Sequence, residues 1–182
     1  PLLETAQAIA TTKQNAAQWH VDRQKVMLMG FSVGGHVVAN YNNLWSSDWL
    51  QAQTHLSVED LKPATTILGY PVITPFDGFP DQPTLAQWTN NPDEIAADQH
   101  VTADNAPTFI WATTDDQLVS SKNAVDYFLA LQAHQVPTEL HLYHHGPHGM
   151  ALADETTAYD ERHQDSRIAD WIANALAFLR EL

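Results

Sequence analysis

The chain has 182 residues, 44% of them hydrophobic, which is enough for one domain with a sizeable core and argues against a disordered chain. Its 22 acidic against 8 basic residues leave a formal net charge of −14, a surface that repels phosphate backbones and anionic lipid, so no nucleic acid and no membrane is expected as a partner. There is no cysteine, so disulfides and thiolate chemistry are out, and the acidic excess itself reads as solubility rather than as a clue to substrate. No apolar run reaches membrane-spanning length, and Pro1-Leu2-Leu3-Glu4-Thr5 lacks the basic and apolar regions of a signal peptide; the expected compartment is the cytoplasm.

In chain order, residues 2–19 predict a helix, with Leu2, Ala6, Ile9 and Ala10 near helical spacing and no Gly or Pro between them. Residues 25–30 predict a strand, 36–45 a helix and 47–61 a second helical stretch that Pro63 ends. Thr65 to Tyr70 is a short β-rich run closed by Pro71. Residues 71–107 hold six of the ten prolines and no helix-long apolar period, which predicts a loop or insertion. Thr108–Thr113 is the next expected strand, Ser121–His134 a helix with Ala124, Val125, Phe128 and Leu131 on one side, and Glu139–Tyr143 the last strand. Ile168, Trp171, Ile172, Ala175, Leu176 and Leu179 then mark a final amphipathic helix. Strands alternating with helices predict an α/β fold, a mostly parallel sheet covered on both faces, with the loops after the strand C-termini gathered along one edge.

Three of those loops carry chemistry. Gly30-Phe31-Ser32-Val33-Gly34 matches G-x-S-x-G between a strand and a helix, the setting of a nucleophile elbow, where Gly30 and Gly34 are expected to relieve the close approach of strand and helix and Gly35 to add room. A serine hydroxyl needs a base to take its proton. His148, in His145-Gly146-Pro147-His148-Gly149 after the last strand, is placed to be that base, and Asp116 after the strand ending at Thr113 is placed to orient it. The order Ser32, Asp116, His148 is that of one known serine-hydrolase arrangement. The N–H of Val33, directly after the serine, offers an oxyanion donor.

These residues carry a resemblance. Val26 to His36, Pro107 to Asp116 and His145 to Gly149 resemble the esterase/lipase branch of the α/β-hydrolase superfamily, near the acetyl xylan esterase-like and dienelactone hydrolase-like proteins, and the likeness runs over essentially the whole chain. In such proteins the acid stands at the head of a D-x-x-V pattern, which Asp116-Gln117-Leu118-Val119 fits and Asp115 does not. The resemblance implies a serine esterase acting on small-molecule esters with short acyl groups, acetyl on carbohydrate among them, with no metal and no cofactor. It also implies strands before the elbow and an H-G-G type loop that supplies a second oxyanion donor, and no residue here matches that loop. The expectation is therefore a single α/β-hydrolase domain over 1–182, the C-terminal part of a longer esterase, whose elbow strand has an open edge that a further segment, another polypeptide or a homodimer contact would cover.

Blander readings stand beside these. Ser32 could be a turn serine capping a helix, Asp116 a surface carboxylate, as Asp115 is expected to be, and His148 an exposed loop residue. His141, His144, His145 and His148 fall on a strand and a loop with no H-E-x-x-H, so a metal site is not expected, and His144 and His145 read as surface or rim. Trp45, Trp49 and Trp88 read as packing, Trp88 also as a pocket wall; 98–104 reads as a solvated loop. The insertion at 71–107 is the expected source of selectivity. A peptidase of the same fold would show the same triad, and a truncated, non-catalytic hydrolase-like module is the reading of another class.

Overall fold

The computed structural model describes all 182 residues. Four strands, β1 (Leu28–Phe31), β2 (Thr66–Gly69), β3 (Thr108–Thr113) and β4 (Thr138–Tyr143), pair in parallel in the order β1-β2-β3-β4. Leu28, Thr66, Thr108 and Thr138 stand level at the start, which sends the chain into its loops along one common edge. β2 and β3 are buried throughout, as the unbroken apolar runs of central parallel strands require.

Before the sheet lie α1 (Leu2–Gln14) and α2 (Ala16–Trp19), and after β1 come α3 (Val33–Leu44), α4 (Asp48–Thr54) and α5 (Val58–Leu61). The first expected helix breaks at Asn15, whose side-chain amide donates back to the Thr11 carbonyl instead of facing solvent. The second breaks at His55, in left-handed conformation, before Ser57 starts α5 by accepting the Asp60 N–H. α6 (Gln82–Trp88) lies inside 71–107, begun by Asp81 accepting the Thr84 N–H, and 3-10 turns follow at Pro92–Ile95 and Ala97–Gln99. A short helix needs only a cap and one turn, so its apolar period was too brief to read.

α7 (Lys122–Ala133) and α3 cover one face of the sheet, burying Val38, Leu68, Ile110, Ala124, Tyr127 and Leu131 together. Val101 joins that core beside Ile73 and Ala97, so 98–104 is anchored by this one side chain rather than wholly solvated. After β4, α8 (Ser166–Ala169) and α9 (Trp171–Glu181) cover the other face through Ile168, Trp171, Ala175 and Phe178, against Ile67, Phe109 and Trp111. Ile172 and Leu176, expected on that face, point outward, because the sheet contact follows the stripe through Phe178. α1, α4 and α5 form a third core with Tyr41 and Trp45 of the α3 end, while Trp49, expected to pack, is half exposed.

The two sheet edges differ. β4 carries Glu139 and His141, paired with each other, whereas the outer edge of β1 shows Met27 and Met29, the latter 52% exposed. Leu28 donates its N–H to the Thr65 carbonyl just before β2, and Ser32 donates to Gly69 at the end of β2, so the backbone groups of Met27, Met29 and Phe31 face away from the sheet. Charged side chains blunt an edge strand; methionines leave it open to pairing.

Candidate active site

β1 ends directly in Ser32, and α3 begins one residue later. This turn is tighter than the sequence predicted, since α3 starts at Val33 rather than at residue 36. It forces Ser32 to φ 54°, ψ −122°, a strained conformation for a residue with a Cβ. Three bonds hold it: the Ser32 N–H donates to the Gly69 carbonyl at 3.0 Å, and its own carbonyl accepts from Val72 at 3.1 Å and His36 at 3.2 Å. A Cβ at Gly30 would run into the Gly34 carbonyl, and one at Gly35 would stand 2.8 Å from the Pro71 Cβ. Gly34, expected to share that role, has open space around it and supplies only its backbone.

The structure brings the three expected side chains together. The Ser32 Oγ lies 2.7 Å from His148 Nε2, and His148 Nδ1 lies 2.6 Å from Asp116 Oδ2. With Nδ1–H donating to the carboxylate, Nε2 is free to accept the serine proton. The Asp116 side chain is 1% exposed and that of His148 16%. The other Asp116 oxygen accepts the N–H groups of Leu118 at 2.8 Å and Val119 at 3.0 Å, so the buried carboxylate is fully engaged. Val33 is the first residue of α3, so its N–H belongs to the first turn, which lacks intrahelical acceptors and carries the positive end of the helix dipole.

Asp115 points the other way. It accepts from the Gly146 N–H at 2.8 Å and pairs with His145 Nδ1 at 3.0 Å; the hydrogen bond from His145 holds its carboxyl below the usual range. Thr113 Oγ donates to the Gly146 carbonyl at 2.7 Å and Thr114 Oγ to that of His144 at 3.0 Å. These four contacts clamp the acid loop to the histidine loop. The His144 and His145 rings lie 3.8 Å apart, tilted at 37°, and no group of three or more potential ligands is arranged for a metal ion.

Tyr70 was missed in the sequence. It follows β2 with φ 35°, sets its ring edge-on to His148 at 4.9 Å, and accepts the Ala151 N–H at 3.0 Å through its hydroxyl. Burial pushes that hydroxyl's pKa up, so it stays neutral beside Asp116. Its position at a strand end before Pro71 was the available signal. His36 was missed as well: it is buried one turn behind Ser32, against Trp88 at 5.6 Å, and burial pushes its imidazole down.

The family profile described as the Prolyl oligopeptidase family matches residues 4–179. The chain belongs to that family. Its structure is similar to that of the carboxylesterase Cest-2923 from Lactobacillus plantarum WCFS1, with 37% identity, a TM-score of 0.92, and coverage of 99% of this chain and 66% of that one. This places the fold among the α/β-hydrolases. Among curated proteins it is 26% identical to endo-1,4-beta-xylanase B of Butyrivibrio fibrisolvens, over 85% of this chain and 25% of that protein. It is 23% identical to an acetylxylan esterase of Xylanibacter ruminicola, over 94% of this chain and 35% of that protein. The chain thus spans about two thirds of the solved carboxylesterase and between a quarter and just over a third of these curated relatives. No helix is long and apolar enough to cross a membrane.

Proposed function

We propose that the chain carries the nucleophile, base and acid of a carboxylic ester hydrolase working through an acyl-enzyme. The observation that carries this reading is the unbroken line from Ser32 Oγ through His148 to the buried Asp116, at 2.7 and 2.6 Å. Ser32 attacks the ester carbonyl as His148 Nε2 takes its proton; the resulting imidazolium is held by Asp116. The Val33 N–H and the α3 N-terminus stabilise the oxyanion. His148 then gives its proton to the leaving alcohol, and the same histidine activates water to release the acid.

The similarity to a carboxylesterase and to an acetylxylan esterase supports short acyl esters, acetyl groups on carbohydrate among them. Residues 71–107 start at the elbow's supporting segment and reach back over His36 through Trp88, which makes them the proposed source of selectivity. The open edge of β1 is the proposed place for a further segment of a longer hydrolase domain, and that segment is the proposed source of the second oxyanion donor. Without it the rate would fall by about 10²–10³-fold.

The family match favours one second reading, a peptidase using the same three residues. Hydrolysis of p-nitrophenyl acetate and of a peptide p-nitroanilide, each beside Ser32→Ala, separates the two. Ester cleavage that disappears in the variant supports the esterase. Anilide cleavage alone supports the peptidase, and neither activity supports a non-catalytic module.

A further inference from the structure

We propose that Asn123 is a positioning residue of this site: its buried amide ties the segment supporting Ser32 to the loop that carries Asp116. This rests on the reading of Ser32, His148 and Asp116 given above.

Asn123 is the second residue of α7 and is 1% exposed. Its side chain does not cap its own helix. Oδ1 accepts two backbone N–H groups from another part of the chain, those of Ile73 at 2.8 Å and Thr74 at 3.0 Å, while Nδ2 donates to the Ser120 carbonyl at 3.1 Å. Two N–H donors can be met only by the oxygen, so the network fixes which way the amide faces.

Both ends of this bridge lead to the site in one step. Ile73 follows Val72, whose N–H donates to the Ser32 carbonyl and supports the strained elbow. Ser120 follows Val119, whose N–H donates to Asp116 Oδ1. The amide therefore sets the distance between the backbone that fixes the nucleophile and the backbone that fixes the acid. His148 is held between those two side chains, at 2.7 Å from one and 2.6 Å from the other. Displacing reacting groups by about 1 Å can cost 10²-fold in rate, so a buried bridge at this point bears on turnover more than on substrate binding. A surface contact runs parallel to it: the neighbouring Lys122 pairs with Asp77 at 3.0 Å, just beyond Thr74 in sequence.

Asn42 supplies the control. Its amide is also fully buried and bridges backbone, accepting from the Ala106 N–H at 2.8 Å and donating to Thr108 Oγ at 3.2 Å, but at the opposite end of the sheet. The experiment compares the wild-type chain with Asn123→Ala and Asn42→Ala, and with Asn123→Asp, which keeps an oxygen for Ile73 and Thr74. It reads kcat and KM on p-nitrophenyl acetate and the amide hydrogen exchange of Val72, Leu118 and Val119. For Asn123→Ala the expected result is a kcat lower by about 10–10²-fold with KM within about threefold, and exchange at those three amides faster by about tenfold or more. Asn123→Asp recovers protection at Val72 more than at Val119, and carries the test should the alanine variant fail to fold. Asn42→Ala keeps kcat and the exchange of the three amides near wild type, whatever its melting temperature. The proposal is overturned if Asn123→Ala retains wild-type kcat and protection, or if Asn42→Ala loses both to the same extent. A wild-type chain that hydrolyses no ester would count against the esterase reading, and the exchange data would still decide the role of Asn123.

Discussion

Two adjacent aspartates, each bonded to a histidine of the same loop, have opposite surroundings. Asp116 and His148 are 1% and 16% exposed; Asp115 and His145 are 47% and 64% exposed. The residues are alike, and the hydrogen-bond distances, 2.6 and 3.0 Å, are similar in kind. What differs is what lies at the far end of each imidazole and how much water reaches the carboxylate. His148 meets the strained Ser32, and its carboxylate is satisfied by protein N–H groups alone. The outer pair meets solvent and serves to fasten two loops. A charge–imidazole pair acquires chemistry from burial and from a third group placed by the fold, and the same pair at the surface contributes little beyond a tether.

The largest effects should come from the inner pair. His148→Ala is expected to lower ester hydrolysis by about 10⁴-fold or more, with the steady-state rate as the check, and His145→Ala to leave it within about threefold. Equal losses would remove the distinction between the two histidines. Next, Gly146→Ala should distort the histidine loop. Gly146 holds φ 155°, and an added Cβ would stand 2.7 Å from the Thr113 Cγ2 and closer still to the Met150 sulfur. A drop in melting temperature together with a fall in kcat of about tenfold or more is expected. Losing the outer tether by Thr114→Val, which removes a donor to the His144 carbonyl, should cost only about 1 kcal/mol of stability by denaturant unfolding, because the site is exposed.

The smallest effect belongs to a third histidine with no carboxylate partner. Burial lowers the His36 pKa from the ordinary value near 6.5, with the Val72 backbone pulling it partly back. Below that value the unfolded chain takes up more protons at this position than the folded one, so stability rises with pH through the window below about 6.5 and the contribution levels off above it. Melting temperatures of wild type and His36→Asn between pH 5 and 7, roughly, should converge toward acid.

Much of this arrangement could be read in advance. Ser32 and His148 sit in short motifs with glycines, and a glycine-flanked residue after a strand announces a turn that aims a side chain. The D-x-x-V pattern distinguishes Asp116 from Asp115, and the structure gives that pattern a physical content: Leu118 and Val119 present their N–H groups to the carboxylate. Strand positions follow from the apolar runs to within a few residues. The exact start of α3 was hidden because Val33-Gly34-Gly35 has poor helix propensity, and the elbow overrides it through tertiary contacts. Tyr70, His36 and Asn123 were not legible for a different reason. Each acts through partners distant in sequence, and no local pattern distinguishes an asparagine that bridges two loops from one that faces water.

The most direct test of the account is the rate at which a fluorophosphonate labels Ser32 in Asp116→Asn and in Asp115→Asn, beside wild type. Labelling reads serine activation without assuming a substrate. The account predicts labelling slower by orders of magnitude in Asp116→Asn, approaching the ~10⁴-fold typical of a lost triad aspartate, and near-wild-type labelling in Asp115→Asn. Equal rates in the two variants, or label on a residue other than Ser32, would contradict it.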